Sequence, residues 1–226
     1  CVNSTFNSGG MERILMYKAN YLADVLGYEV CIVTTDQQNK SNFFKFSDRI
    51  KFVDFGINYD AEKNKNLFVR LLLQGLKKRR HKKCLASFLN REHPDICISM
   101  FCREMHFLTK IKDGSRKILE FHFSKNIKLI EAPNKIIYFA QKLRLIGWRK
   151  AIRKYDAFVV LTQEDKEAWG NMDNIRVIPN FLTEYPEKEA ALTAKRVISV
   201  GRLSYQKGFD YLVQIWNLVH QKRPEW

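Results

Sequence analysis

Two cations near a predicted helix start are the residues of this amino-acid sequence best suited to bind a diphosphate. Arg202 and Lys207 lie in a segment, residues 200–209, whose pattern predicts a loop between a strand and a helix. An arginine bonds phosphate oxygens in pairs, and a lysine adds a point charge beside the positive end of the helix dipole. The alternative interpretation is two solvated loop charges.

Glycines at the first predicted strand-to-helix turn form a second candidate binding segment. Gly9 and Gly10 let the backbone approach a ligand closely, and Glu12 follows in the first helical turn. The patterns G-x-G-x-x-G and G-x-x-x-x-G-K are absent, so neither a dinucleotide site nor a P-loop is indicated. The alternative is a plain turn, for which glycine is common.

His122 is the candidate catalytic side chain because it follows a strand of the predicted sheet. In doubly wound folds ligands bind beyond the carboxyl ends of the strands, and an imidazole there can exchange hydrogen bonds with a substrate hydroxyl. A packed or surface histidine is the alternative. The other four histidines show no metal-ligand spacing and no D-x-D triplet occurs, so we predict no metal site.

A basic run in a predicted helix is the candidate membrane-docking segment. The chain of 226 residues carries a net charge of +15, which predicts anionic partners. Apolar residues precede the run, as in helices that dock on anionic membranes. The alternative is a solvated helix end whose apolar part packs on the sheet; nucleic acid is less favoured, because aromatics are not interleaved. The cations are Lys77, Lys78, Arg79, Arg80, Lys82 and Lys83.

The elements that must position these residues alternate between strand and helix. Strands apolar on both faces and separated by helices predict an α/β fold, a Rossmann-like doubly wound parallel sheet. We predict domain one over 1–182, a linker over 183–194, and the first βα unit of a truncated second domain over 195–226. The predicted strands are 1–3, 28–35, 50–55, 95–100, 117–121, 157–161, 175–178 and 196–200, and the helices are 11–26, 66–91, 135–154 and 208–220.

Two further observations concern the compartment. The apolar stretches are much shorter than the roughly 20 residues that a membrane-spanning helix needs. The five cysteines are odd in number and form no C-x-x-C pair, which predicts a reducing compartment. We therefore expect a cytoplasmic protein, peripheral on the inner face of the cell membrane.

The order and spacing of several short motifs resemble those of the family 4 retaining glycosyltransferases of GT-B fold. The resemblance covers nearly the whole chain, and its last motif is the most specific. Glycogen-type synthases are a nearer rival, but their longer basic loop motifs are not visible. The matching motifs are GGMER at 9–13, REHPDI at 91–96, EFH at 120–122, AFVVLT at 157–162, VIPN at 177–180 and GRLSYQKG at 201–208.

The resemblance implies an enzyme with two substrates. The first domain would bind an acceptor, such as a polysaccharide or lipid-linked glycan intermediate, and the second a nucleotide-diphosphate sugar. Arg202 and Lys207 would neutralise the departing diphosphate, the Gly9–Gly10 turn would approach the sugar phosphate or acceptor, and His122 would contact the transferred sugar. Transfer would retain configuration and need neither metal nor cofactor.

One departure from the family pattern limits this expectation. The family's paired glutamates, E-x7-E, would lie beyond Trp226, so this chain alone is predicted to have little or no transferase activity. The competing hypothesis is a non-catalytic, basic Rossmann-like module that binds an anionic membrane or nucleic acid.

Overall fold

The computed structural model describes residues 1–62, 66–125, 134–183, 185–191, 193–201, 203 and 205–226, which form two units. The first unit, Cys1–Phe181, is a mixed α/β structure with parallel strands, and the second is Leu182–Trp226. The strands are β1 (Cys31–Thr34), β2 (Lys51–Asp54), β3 (Ile96–Ser99), β4 (Arg116–Glu120), β5 (Ala157–Val160) and β6 (Ile175–Val177). The α-helices are α1 (Gly10–Asn20), α2 (Leu67–Glu92), α3 (Lys135–Ile152), α4 (Gln163–Trp169) and α5 (Phe209–Lys222).

Residues 1–3 join two parallel sheets, β1-β2 and β3-β4-β5-β6. The Val2 N–H donates to the Val33 carbonyl at 3.0 Å, and the Met100 N–H donates to the Cys1 carbonyl at 3.1 Å. The spatial order is therefore β2, β1, residues 1–3, β3, β4, β5, β6, with the first segment of the chain in the middle. This is the order of a doubly wound sheet, and it confirms the predicted Rossmann-like fold.

Helices cover both faces of the sheet. Adjacent strand residues point to opposite faces, and in β1 Ile32 belongs to the same core cluster as Ala19 of α1. Its neighbour Val33 belongs to the other cluster, with Leu85 of α2 and Trp169 of α4. Strands buried on both faces are apolar throughout, which is why their sequences do not alternate between apolar and polar residues.

Local signals explain where the long helices begin and end. The Asn66 side chain accepts a hydrogen bond from the Val69 N–H and caps the start of α2, and Asn134 caps α3 in the same way. After α1 the chain continues as one π-helical turn, Tyr21–Val25, and leaves it through Gly27, whose φ is +70°. The helical segment thus ends after residue 26, as predicted, at a left-handed position that favours glycine.

Two sequence predictions differ from the structure. Residues 28–30 are not part of β1, because the Tyr28 N–H donates to the Leu22 carbonyl and ties the chain back to the preceding helix. Residues 196–200, predicted as a strand, form no strand, because no other described segment of the second unit pairs with them. Their apolar side chains are exposed, which shows that a strand pattern without a neighbour does not make a sheet.

Candidate active site at the carboxyl edge of the sheet

The predicted ligand-binding residues of the first unit meet at one edge of its sheet. Residues 1–3 run into the turn that holds Gly9 and Gly10, and β4 ends at Glu120, two residues before His122. Because the strands are parallel, these segments all leave the sheet at its carboxyl edge, where doubly wound folds bind ligands.

A buried carboxylate connects His122 to the helix that follows the glycine turn. One oxygen of Glu120 accepts from Lys18 Nζ of α1 at 2.5 Å, and the other lies 3.3 Å from His122 Nε2. The side chains of Glu120 and His122 are both buried, and that of Lys18 is partly exposed. The three side chains form the Lys18-Glu120-His122 cluster.

The cluster keeps Glu120 ionised despite its burial. Burial alone would raise the pKa of this carboxyl. The hydrogen bond from His122, followed by the charge and hydrogen bond of Lys18, outweighs burial and holds the pKa of Glu120 below its usual value. A fixed negative charge therefore lies against the predicted catalytic imidazole.

The acidic residue that follows the glycine turn, Glu12, packs against the backbone of that turn. A side chain on Gly9 would place its Cβ only 2.1 Å from Glu12 Oε2, so the buried Glu12 carboxylate lies over the Gly9 backbone. Gly10 has open space around it. The structure thus brings two of the predicted loop residues, Gly9 and Glu12, into contact, so a side chain at position 9 would require the Glu12 carboxylate to move.

The loop after β3 brings a strained aromatic residue to the same edge. Phe101 has a φ of +57°, a conformation that is uncommon for a bulky side chain. Its ring lies 4.4 Å from the ring of Phe121 and 4.9 Å from that of Trp148, measured between centroids. Phe101 therefore packs on the core aromatic rings at the carboxyl edge.

The predicted phosphate-binding loop belongs to the second unit. Lys207 ends a short 3-10 turn, Tyr205–Lys207, and Gly208, with a φ of +60°, leads from it into α5. A Cβ on Gly201 would lie 3.7 Å from Lys207 Cγ, so the Gly201 backbone and the lysine stem are neighbours. Arg202 lies outside the described residues.

The basic run lies on α2, where its members have different surroundings. Lys77 donates to the Asn58 carbonyl and is half-buried, whereas Lys78, Arg79, Arg80, Lys82 and Lys83 are exposed. The apolar residues before the run do not pack on the sheet: Phe68 is 85% exposed and Leu72 is 66% exposed. The alternative interpretation is a solvated helix end whose apolar part packs on the sheet. Its solvated cations are observed, whereas Phe68 and Leu72 are not packed within the first unit.

Sequence reasoning missed Glu120, the partner of His122, and Lys18, the second partner of Glu120. Glu120 stands two residues before His122 on extended chain, so both side chains point to the same face, and this period-2 spacing was the available signal. Lys18 carries no such signal, because its place depends on how α1 crosses β4.

The chain is similar to two curated glycosyltransferases. It is 27% identical over 225 residues to a protein of Haemophilus influenzae named "Uncharacterized glycosyltransferase", a match covering 97% of this chain and 57% of the relative. It is 34% identical over 90 residues to the Erwinia amylovora protein named "Amylovoran biosynthesis glycosyltransferase AmsD", covering 32% of this chain and 26% of the relative. No protein-family model matches.

Both relatives are named as glycosyltransferases. The chain spans little more than half of the first relative and about a quarter of the second. Among the described residues, no helix is both long and apolar enough to cross a membrane.

Proposed function

We propose that this chain is the acceptor-side domain, with the start of the donor-side domain, of a retaining glycosyltransferase of family 4 and GT-B fold. The enzyme transfers a sugar from a nucleotide-diphosphate sugar to a glycan or lipid-linked acceptor. The observation that carries the proposal is the Lys18-Glu120-His122 cluster beside the Gly9 turn, in a chain similar to glycosyltransferases. The relative named for amylovoran biosynthesis supports an acceptor of the glycan type.

His122 is the residue that contacts the transferred sugar. Glu120 Oε2 accepts a hydrogen bond from His122 Nε2–H, which leaves Nδ1 of the neutral ring as an acceptor for a sugar hydroxyl. Glu120 is a positioning residue, since it fixes the ring and its tautomer without touching the substrate. Lys18 balances the buried charge.

Arg202 and Lys207 are the residues that stabilise the leaving diphosphate. Lys207 stands at the start of α5, where the helix dipole adds to its charge. Cations at this position stabilise the negative charge that develops on the diphosphate as the sugar leaves. Transfer therefore needs no metal and no cofactor. The basic part of α2 docks the enzyme on the inner face of the cell membrane, where each exposed cation contributes about 1 kcal/mol.

The first experiment is a transferase assay on the protein as encoded by its gene. UDP-, GDP- and other nucleotide-linked sugars are supplied as donors, with a lipid-linked glycan extract as the acceptor. Transfer with retention of anomeric configuration is the expected result. Transfer with inversion would refute the retaining mechanism, and absence of transfer with every donor would favour the basic binding module.

The second experiment tests the role of Glu120 through Glu120→Gln. We expect kcat to fall by about 10-fold to 100-fold with little change in KM, because a 1.4 to 2.7 kcal/mol loss of ring positioning is of the size of one charged hydrogen bond. The exposed residue Glu167 provides the matched control, Glu167→Gln.

Nitrogen-15 NMR of the imidazole distinguishes positioning from a general structural role. The native ring should be in the Nε2–H tautomer, and Glu120→Gln should lose that preference while its circular dichroism stays native. If both kcat and the tautomer are unchanged, Glu120 does not position the His122 ring. That result would leave the proposed transferase function unaffected.

A further inference from the structure

A cationic cleft of about 430 Å³ lies in the first unit, between α2, the 3-10 turn Arg103–His106 and α3. Lys78 of α2, Arg103 and His106 of the turn, and Arg144 of α3 all line it. None of the described residues lining the cleft is acidic. The cleft is therefore suited to a ligand with more than one negative charge.

Aromatic rings hold both guanidinium groups in place. The Arg103 guanidinium lies 4.4 Å from the ring centroid of Tyr59, and that of Arg144 lies 4.8 Å from the ring of Trp148. Stacking orients the planar guanidinium while leaving its N–H edge available for an anion. A pre-oriented guanidinium loses less conformational entropy when it binds, so this arrangement favours ligand affinity.

His106 lies in the positive field of the cleft. Its pKa is lowered first by burial and then by the charges of Lys78, Arg144 and Lys110. Three cations from three elements thus act on one imidazole at the cleft wall. A bound anion would oppose their effect.

The cleft lies at the carboxyl edge of the sheet and beside an apolar surface. Its wall includes Asn3, at the end of the first segment of the sheet, and Phe101, which follows β3. The two helices that border it also expose large apolar side chains, among them Leu76 of α2 and Leu143 of α3. An anionic group in the cleft would accordingly have room for an apolar carrier at its side.

We propose that the cleft binds a phosphate or diphosphate group, and that this group belongs to the acceptor. Arg103 and Arg144 bond the phosphate oxygens and Lys78 adds charge. The assignment of this phosphate group to the acceptor rests on the proposed function. The binding of an anion in the cleft does not. All the described lining residues of the cleft lie in the first unit, whereas Lys207, proposed to bind the donor, lies in the second.

The test uses inorganic pyrophosphate as the probe and the 226-residue chain as the protein. Calorimetry at low salt should show saturable binding, and NMR should show the pKa of His106 rising when pyrophosphate is added, because the anion offsets the nearby cations. Arg103→Gln/Arg144→Gln should weaken binding at least tenfold. The matched control is Lys112→Gln/Arg116→Gln, which removes two exposed cations near the opposite edge of the sheet and should leave the affinity unchanged.

Three results would overturn the proposal. The first is absence of saturable binding, and the second is an equal loss of affinity in the control variant, which would indicate general electrostatic attraction. The third is loss of binding in Lys207→Gln with His106 unmoved, which would place the anion at the second unit. If circular dichroism shows that the double variant misfolds, the deciding measurement is the pKa of His106 in the native chain with and without pyrophosphate. None of these outcomes depends on transferase activity.

Vesicles then distinguish a lipid phosphate from a soluble one. Phosphatidylcholine vesicles are compared with the same vesicles containing phosphatidic acid. Binding to the anionic vesicles that pyrophosphate displaces, and that Arg103→Gln/Arg144→Gln loses, would assign the phosphate to a lipid. Pyrophosphate binding that the anionic vesicles do not compete with would assign it to a soluble phosphate ester.

Discussion

His81 makes the stability of the first unit depend on pH. It is the one neutral member of the basic run at 77–83, and it points inward with only 1% of its surface exposed. Its Nδ1 lies 3.1 Å from the Tyr59 hydroxyl, and the rings of Phe55 and Phe107 pack around it. Burial lowers the pKa of His81 from 6.5 to about 4.

The sign of the effect follows from which state binds the proton. Between pH 6.5 and pH 4 the unfolded chain protonates this histidine and the folded chain does not, so acid favours unfolding. The stabilisation is fully present above pH 6.5 and is lost as the pH falls towards 4. A depression of this size corresponds to about 3 kcal/mol between pH 7 and pH 4.

The assay is urea unfolding across this pH range, for the native chain and for His81→Gln. The free energy of unfolding of the native chain should fall by about 3 kcal/mol more than that of the variant, whatever the variant loses at pH 7. The control His93→Asn removes an exposed histidine at a left-handed position that asparagine tolerates, and should follow the native curve. Parallel curves for the native chain and His81→Gln would refute a buried, neutral His81.

Two smaller perturbations test the local structure by thermal or urea unfolding. Gly9→Ala should lower stability by up to about 1 kcal/mol because Glu12 must move, whereas Gly10→Ala should be neutral or stabilising because its Cβ meets nothing and alanine favours helix. Asn66→Ala should lower stability by about 1 kcal/mol through the lost cap of α2, and Asn66→Ser should restore most of it; equal stability of all three chains would show that the cap contributes nothing.

Most of the fold could be predicted because each buried strand is a short apolar run bounded by turn residues. The run at 157–161 and the cap at Asn66 are local signals, and both appear in the structure as β5 and the start of α2. The strand predicted at 196–200 has the same local signal and fails, because a strand also needs a partner. Local patterns therefore predict which segments can pair, and the tertiary structure decides which do.

The site was predicted less completely, for the same physical reason. His122 and the Gly9 turn could be found from their positions after strands, where doubly wound folds place their ligands. Lys18 and Arg144 could not, because Lys18 contacts Glu120 of a strand far along the chain, and Arg144 lines the cleft only together with residues of α2 and the turn Arg103–His106. Their charges can be assigned to a site only when the positions of α1 and α3 relative to the sheet are known.

The two halves of α2 differ in the burial of their apolar side chains. Leu85 and Leu89, in its second half, are buried in the main core, and His81 marks the first fully buried position along the helix for which a side chain is described. Before that point Phe68 and Leu72 stay exposed. Apolar side chains that remain in water add nothing to the stability of the first unit, so its folding does not account for their presence. The ligand proposed for the cationic cleft, with a hydrocarbon part and a phosphate, would account for these exposed apolar side chains, and the vesicle experiment measures whether both parts are used.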